Sequence, residues 1–422
     1  MDDCNAGATA MIEKSNEIYL EKKQGLLFLG LLVTLTILFP FLNIFHAMHP
    51  ARIFEKSAWI AIPVVIIGIL YLSLFLTKRS RLSTVDLWII IIILLSWVIF
   101  SMRGLIYSES KNFLDIRFIA TSLIFMAFSR HLTNSSFSMR VVACAVIIQS
   151  LLTALLRSIN FYFFPHIMTS YESDGTAFIN TEGEMTRDLL IGSSSSANQI
   201  LCGMFVLLSL FKYKIFRLNQ TFFIMLQFFL MFSTFNSYSR FPMVVSIFVF
   251  LISLLNLNVL KTKKIIALTL TWLGLFILVV LAVTSSNNYF SRFSENSGGR
   301  GEKLEATLTL VSNSFLDFFI GSSDKLVNLT DVDGMLVSDN SYGLIANSFG
   351  VPFMLIFFGY FLFSLKKITS DKISLFFIYY IAIGLAFTNC ILWEPWVFTV
   401  LMSFTVVAYY GRISICDSRN SG

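Results

Sequence analysis

The sequence predicts an all-α integral membrane protein, a polytopic bundle of about twelve transmembrane helices. Hydrophobic residues make up 56% of the 422 positions and charged residues only 13%, whereas about a quarter of the residues in a soluble domain are charged. The apolar residues form long continuous runs, and a helix needs about 20 such residues to cross a bilayer. Because the runs are not short segments of alternating polarity, a membrane β-barrel is disfavoured.

Twelve apolar runs stand out, and together they make residues 1–422 one transmembrane domain. The first run follows the polar stretch 1–23 and is long enough to span, so no cleavable signal is predicted. The fourth and seventh runs are short. The predicted spans are residues 24–45, 58–77, 85–101, 116–129, 141–156, 194–211, 220–234, 241–257, 265–283, 343–364, 373–389 and 393–410.

Lysine and arginine are divided unevenly between the segments that connect these spans. With the N-terminus inside, the inner segments hold about 19 of the 31 cationic residues, which is the bias expected of cytoplasmic loops. The pattern predicts that both termini lie in the cytoplasm. The inner segments are 1–23, 78–84, 130–140, 212–219, 257–264, 365–372 and 411–422.

Two predicted periplasmic loops, residues 157–193 and 284–342, are much longer than the others. Both are rich in Ser, Gly, Asn and acidic residues, and long loops tend to be functional or disordered. The second contains a predicted amphipathic helix over Glu302–Phe319, which would lie on the membrane surface or cap the bundle. Its apolar residues are Leu304, Leu308, Val311, Phe315 and Phe319.

Several function classes are disfavoured by what the sequence lacks. The inner loops are short and basic, so they cannot build a nucleotide-sugar site, and the sequence has no P-loop motif. Asp331 and Asp333 have the DxD spacing but lie in an outer loop, where a solvated turn is the simpler interpretation. The five cysteines and four histidines are scattered, so no metal or cofactor is predicted. The cationic residues follow the topology, so no nucleic acid partner is predicted either.

Arginines on the predicted outer face are not explained by topology. Arg187, Arg240 and Arg300 lie where outer loops meet spans or turns. The planar guanidinium group binds phosphate at two points, and the pyrophosphate of a lipid carrier lies at the membrane interface. Several guanidinium groups could therefore hold such a leaving group without a metal, although each could instead pair with a headgroup or a carboxylate. Further candidates are Arg103, Arg117, Arg157 and Arg292.

Four landmarks in this order give the sequence a resemblance to the O-antigen ligase and O-antigen polymerase superfamily, also called the Wzy-like family. The resemblance covers residues 180–365, about half of the chain. The landmarks are Arg187 with Gly192 and Asn198; Ser239-Arg240; Gly299-Arg300 followed by Phe319-Ile320-Gly321; and Asp339-Asn340-Ser341-Tyr342 with Gly350.

The resemblance implies a GT-C-like bundle that works as a metal-independent glycosyltransferase on the periplasmic side. Its donor would be a polysaccharide on undecaprenyl pyrophosphate, and its acceptor the next lipid-linked repeat unit. Arg240 and Arg300 would grip the pyrophosphate. Arg187, Arg292, Asn340 and Tyr342 are the other predicted substrate-binding residues. A separate chain-length regulator is the implied protein partner.

The sequence departs from the ligases at one point. They carry a histidine near the start of span ten, but no histidine follows His166 here. This difference favours a polymerase and leaves Asp339 as the candidate base. Asp339 could also cap span ten, alone or with Asn340 or Ser341, and both roles can hold at once.

Three other functions stay open at this point. A ligase would use the same chemistry with the lipid A core as acceptor. A polysaccharide flippase or another transporter should place ionisable residues inside its spans, and few are found there. A membrane subunit without catalysis would need none of the arginines.

Overall fold

The computed structural model describes the residues of several separate segments of the chain. These residues are almost entirely helical and contain no strand, so the all-α prediction is confirmed for the described part of the chain. The described residues are 84–107, 136–163, 193–216, 218–235, 240–255, 309, 311–312, 314–321, 341–369, 371–387 and 397–420.

Ten helices follow one another in the described residues. Most coincide with predicted spans, because continuous apolar runs of this length favour helices that can bury them. They are α1 Thr84–Tyr107, α2 Ser136–Phe163, α3 Ser193–Lys212, α4 Gln220–Phe235, α5 Arg240–Leu255, α6 Phe315–Ile320, α7 Ser341–Phe349, α8 Val351–Ile368, α9 Lys372–Phe387 and α10 Val397–Asn420. The predicted spans 24–45, 58–77, 116–129 and 265–283 lie outside the described residues.

Two described helices are long and apolar enough to cross a membrane, namely the stretch Leu87–Ile106 of α1 and the whole of α8. Both keep most of their surface outside the protein core. Leu105 on α1 is 84% exposed and Leu355 on α8 is 63% exposed. Outward-facing apolar side chains of this size are suited to contact with lipid.

Span ten, predicted as one helix over 343–364, is instead two helices that meet at Gly350. The backbone of Gly350 has a φ of 87°, a conformation that residues with a side chain avoid. Pro352 follows at the start of α8, where a missing N–H costs nothing. The prediction failed because an isolated glycine in an apolar run gives no clear sign of a helix break.

The predicted amphipathic helix over Glu302–Phe319 is also divided. Ser314 has an extended backbone and caps α6, accepting a hydrogen bond from the N–H of Asp317. In α6, Phe315 and Phe319 of the predicted apolar face are exposed, while Asp317 and Ile320 are buried. Apolar residues beside a membrane can face outward as well as inward, so the apolar stripe does not identify the packed face.

Helix α3 lies at the centre of a bundle, packed against α2, α4, α5 and α10. Residues 197–210 of α3 are all buried. A Cβ at Gly203 would lie 2.3 Å from the Cβ of Ser150, so glycine allows α2 and α3 to approach closely at this level. We call α2, α3, α4, α5 and α10 the central bundle.

A second group of helices, α1, α6, α7 and α8, packs together beside the central bundle. It is held by two close backbone approaches. A Cβ at Gly350 would lie 2.3 Å from the carbonyl oxygen of Phe319, and one at Gly321 would lie 2.3 Å from that of Asn347. Helix α6 therefore docks into the break between α7 and α8. We call this group the peripheral unit.

Helix α9 lies between the two groups and contacts both of them. On the central side, Phe377 of α9 stacks on Phe205 of α3 with ring centroids 4.3 Å apart. Next to its start, Asp371 caps α9 through hydrogen bonds from the backbone N–H groups of Ile373 and Ser374, each 3.1 Å long.

The start of α9 is also tied to the end of α3. The Tyr213 hydroxyl donates to the Asp371 carboxylate, and Lys212 Nζ lies 3.8 Å from it. Burial, and after it the hydrogen bond to this carboxylate, raises the pKa of Tyr213. Two segments predicted on the inner side, 212–219 and 365–372, thus meet at one end of the bundle.

Candidate functional site

One turn of α9 receives side chains from two of the sequence landmarks and from the residue that follows a third. The first contact is made by Asn198, which is fully buried on α3. The Tyr380 hydroxyl of α9 donates a hydrogen bond to Asn198 Oδ1. This contact joins residues 182 positions apart in the chain. Asn198 is therefore fixed to α9.

The second contact comes from the landmark Ser239-Arg240. Arg240 is the first residue of α5, as predicted for the beginning of span eight, and Phe241 follows it. The Phe241 ring stacks on Tyr380, with centroids 5.8 Å apart and an interplanar angle of 6°. The backbone of Arg240 is thus adjacent to a residue in contact with Tyr380.

The third contact comes from the landmark that ends in Tyr342. The Tyr342 hydroxyl donates a 2.8 Å hydrogen bond to the backbone oxygen of Ala382, and its ring lies against Phe358 with centroids 4.4 Å apart. Ser341 precedes it and is fully buried, and its hydroxyl has no hydrogen-bond partner within the described part of the chain. Tyr380 and Ala382 therefore contact residues of two landmarks, Asn198 and Tyr342, and Tyr380 also contacts Phe241, which follows the landmark Ser239-Arg240.

The remaining landmark segment, Phe319-Ile320-Gly321, reaches the other end of α7. Gly321 lies against the backbone of Asn347 and Ser348. Arg103 of α1 is 8% exposed and donates to the carbonyl oxygen of Ser348. The last carbonyls of a helix lack partners within the helix and carry partial negative charge, so a buried guanidinium group stabilises the end of α7.

The chain matches no protein-family model, no curated protein and no solved structure.

The buried polar side chains around Tyr380 are neutral hydrogen-bonding groups, and Arg240 begins the helix next to them. Among the buried polar residues that the structure describes, only Arg103 and Asp317 are charged. Neutral groups of this kind can orient hydroxyl groups through hydrogen bonds.

Two of the predicted site residues lie in the described part of the chain. Tyr342 uses its hydroxyl for Ala382, which is a structural contact, and its role in substrate binding stays a prediction. Arg240 begins α5, but its side chain is outside the description. The other predicted residues lie outside the described residues, namely Arg187, Arg292, Arg300, Asp339 and Asn340.

Sequence reasoning missed a layer of buried polar side chains that includes Tyr380. Gln149 of α2 accepts a 3.0 Å hydrogen bond from Thr399 of α10. Gln199 of α3 accepts a 2.9 Å bond from Thr153 of α2. A polar residue at each of these positions interrupts an apolar run, which is the signal that could have found them. Nothing in the sequence indicates which of these residues on different helices form hydrogen bonds with each other.

Proposed function

We propose that this protein is an O-antigen polymerase, an integral-membrane glycosyltransferase that joins oligosaccharide repeat units carried on undecaprenyl pyrophosphate. The observation that carries the proposal is the meeting at Tyr380–Ala382 of the segments that contain Asn198, Tyr342 and Phe241, the last of which follows Arg240. These segments were selected for their resemblance to one family, and nothing in their sequences requires them to be neighbours. Their convergence supports the view that they serve one site.

The proposed arrangement has twelve spans in a bacterial inner membrane, both termini in the cytoplasm and loops 157–193 and 284–342 in the periplasm. The contact between Tyr213 and Asp371 supports it. It joins two segments that the distribution of basic residues assigns to the cytoplasmic side. The site faces the periplasm, where lipid-linked repeat units and a chain-length regulator would meet it.

The proposed reaction needs no metal. A sugar hydroxyl of the acceptor forms a bond to the anomeric carbon of the donor, and the bond from that carbon to the pyrophosphate oxygen breaks. Arg240 and Arg300, aided by Arg187 and Arg292, bind the departing pyrophosphate and stabilise its charge. Asp339 accepts the proton of the hydroxyl, while Asn340 and Tyr342 orient the sugars.

Deletion of the gene in its native host, followed by gel analysis of lipopolysaccharide, tests the function directly. A polymerase predicts loss of the ladder with a single core-plus-one-unit band remaining. Bare core would instead identify a ligase or an earlier step, since the acceptor would then receive no unit. An unchanged ladder would exclude both and favour a flippase of another polymer or a subunit without catalysis.

Single substitutions then test the pyrophosphate-binding residues. Arg240→Ala and Arg300→Ala should abolish the ladder while the protein still inserts in normal amount. Arg300→Lys should stay defective, because an ammonium group cannot make the two-point contact. Arg412→Ala is the control, since Arg412 is exposed on α10 beyond the predicted last span. Wild-type ladders from both alanine variants would rule out the pyrophosphate-binding role.

Asp339→Asn separates the two roles of that residue. Asparagine caps helices as well as aspartate does but cannot accept the proton. Lost polymerisation with normal folding would therefore support the base, and unchanged polymerisation would leave only the cap.

A further inference from the structure

Three buried carboxamides lie at one level of the bundle. They are Gln149 on α2 and Asn198 and Gln199 on α3, and none is more than 2% exposed. Gln149 is followed by Ser150, whose hydroxyl donates a 2.7 Å hydrogen bond to the backbone oxygen of Gln199. Asn198 and Gln199 are consecutive. These links set the three side chains in a single layer, which we call the amide layer.

The oxygen atoms of the three carboxamides are used in the same way. Each accepts a hydrogen bond from a hydroxyl group on a neighbouring helix. The donors are Thr399 for Gln149, Tyr380 for Asn198 and Thr153 for Gln199. We include these three donors in the amide layer, which therefore connects α2, α3, α9 and α10.

The amino groups of the same carboxamides have no protein partner in the part of the chain that the structure describes. Gln227 on α4 has the opposite pattern, since its Nε2 donates a 2.9 Å hydrogen bond to the carbonyl oxygen of Met204 and its Oε1 has no partner in the described part of the chain. A buried polar group without a partner is unfavourable, and three at one level indicate that groups other than protein satisfy them. Exchanging the amide O and N positions would leave three unpaired oxygens instead, so the requirement persists.

The chemistry of the layer selects the kind of partner. All of its side chains are neutral, which disfavours a charged ligand in a buried site. A hydroxyl group can both donate and accept, so it satisfies a carboxamide in either orientation. Tyr380, a member of the layer, also contacts Phe241 next to Arg240. The layer thus adjoins the candidate site.

We propose that the amide layer is the floor of a hydrated cleft that binds neutral hydroxyl groups, supplied by water or by a saccharide. The hydrated cleft follows from the layer alone. The saccharide source rests on the proposed function. With a saccharide as the source, the layer holds a sugar next to the arginine-bearing segments.

Cysteine accessibility in the full-length protein tests the cleft. In a background with the five native cysteines replaced, Asn198→Cys and, separately, Thr153→Cys are treated in whole cells with a membrane-impermeant methanethiosulfonate. Leu208→Cys is the matched control, because Leu208 is an apolar side chain that is equally buried on α3. A thiol in dry apolar surroundings stays protonated and inert, so layer positions should react at least about tenfold faster than the control.

The two variants protect the test against misfolding. Size-exclusion chromatography in detergent identifies variants that fold, and Thr153→Cys, which nearly preserves side-chain volume, decides the outcome if Asn198→Cys does not. Reaction of a folded layer variant no faster than Leu208→Cys overturns the proposal.

A second comparison separates the two sources of hydroxyl groups. Labelling is repeated in cells whose first lipid-linked sugar transferase is blocked. Slower labelling in cells that make the lipid-linked repeat than in blocked cells supports a saccharide in the layer. Equal labelling in both supports water and removes the saccharide. Failure of the proposed function would appear separately, as an unchanged lipopolysaccharide ladder after gene deletion.

Discussion

The central bundle and the peripheral unit are held together by different interactions. In the central bundle, neighbouring helices are joined by hydroxyl and amide side chains, such as the pair Thr234–Ser246 at 2.8 Å between α4 and α5. In the peripheral unit, backbones meet directly at Gly321 and Gly350, and Arg103 secures the end of α7. One region has many interchangeable bonds, and the other depends on a few irreplaceable positions.

This difference bears on where sequence change can be absorbed. A hydrogen bond between helices in a membrane contributes about 0.6 kcal/mol on average, so the central bundle should tolerate the loss of any one. A glycine that lies against another backbone at positive φ has no substitute. The following predictions test this contrast, beginning with the largest effect.

Gly350→Ala should destabilise the peripheral unit by about 3 kcal/mol, since it adds a strained φ to a clash with the Phe319 carbonyl. The apparent unfolding temperature in detergent would report the loss. Gly359→Ala on α8 is the control, because a Cβ there meets nothing within 4 Å. It should be neutral or slightly stabilising. Equal effects of the two substitutions would contradict the close docking of α6.

Arg103→Met should cost about 2 kcal/mol, because it removes a charged hydrogen-bond donor from the end of α7 while keeping an apolar stem. Arg103→Lys should be milder, since an ammonium group can still donate to Ser348. Thermal unfolding of both variants shows which substitution lowers stability more. If Met is tolerated as well as Lys, the carbonyl of Ser348 does not depend on this side chain.

Asp371→Ala should cost about 1.5 kcal/mol, since it removes the cap of α9 and the acceptor for Tyr213. Asp371→Asn should cost much less, because asparagine also caps helices and offers the same oxygen. The comparison is made by unfolding in detergent. A large loss of stability with Asn would show that the negative charge of Asp371 next to Lys212 matters more than capping.

Thr234→Val should have the smallest effect, about 0.6 kcal/mol. The substitution keeps the shape of the side chain and removes one hydroxyl from the pair with Ser246. A shift in unfolding temperature as large as that of Gly350→Ala would overturn the contrast between the two regions.

Hydropathy predicted the described helices well but not their interruptions or partners. Continuous apolar runs gave α1 and α3 because a run of that length has to be buried or placed in lipid. The prediction stopped span twelve at residue 410, yet α10 continues to Asn420, since helical hydrogen bonding does not end where apolar character does. The break at Gly350 depends on the backbone of α6, which lies far away in sequence.

The candidate site was only partly predictable for a similar reason. Resemblance selected Asn198 and Tyr342 individually. Tyr380 lies within an apolar run, and its partnership with Asn198 depends on how α3 and α9 are rotated against each other. Periodicity does not specify that rotation when a helix is buried on every side, as α3 is.

The central position of α3 has a consequence for biosynthesis. The ribosome completes α3 long before it makes α9 and α10, since the partners of Asn198 and Gln149 lie 182 and 250 residues downstream. Until those helices emerge, Gln149 of α2 and Asn198 of α3 lack these partners and have to wait among lipids or with a chaperone. Assembly of the central bundle therefore waits for α10, and nascent chains that stop before residue 397 should be targets for membrane quality control.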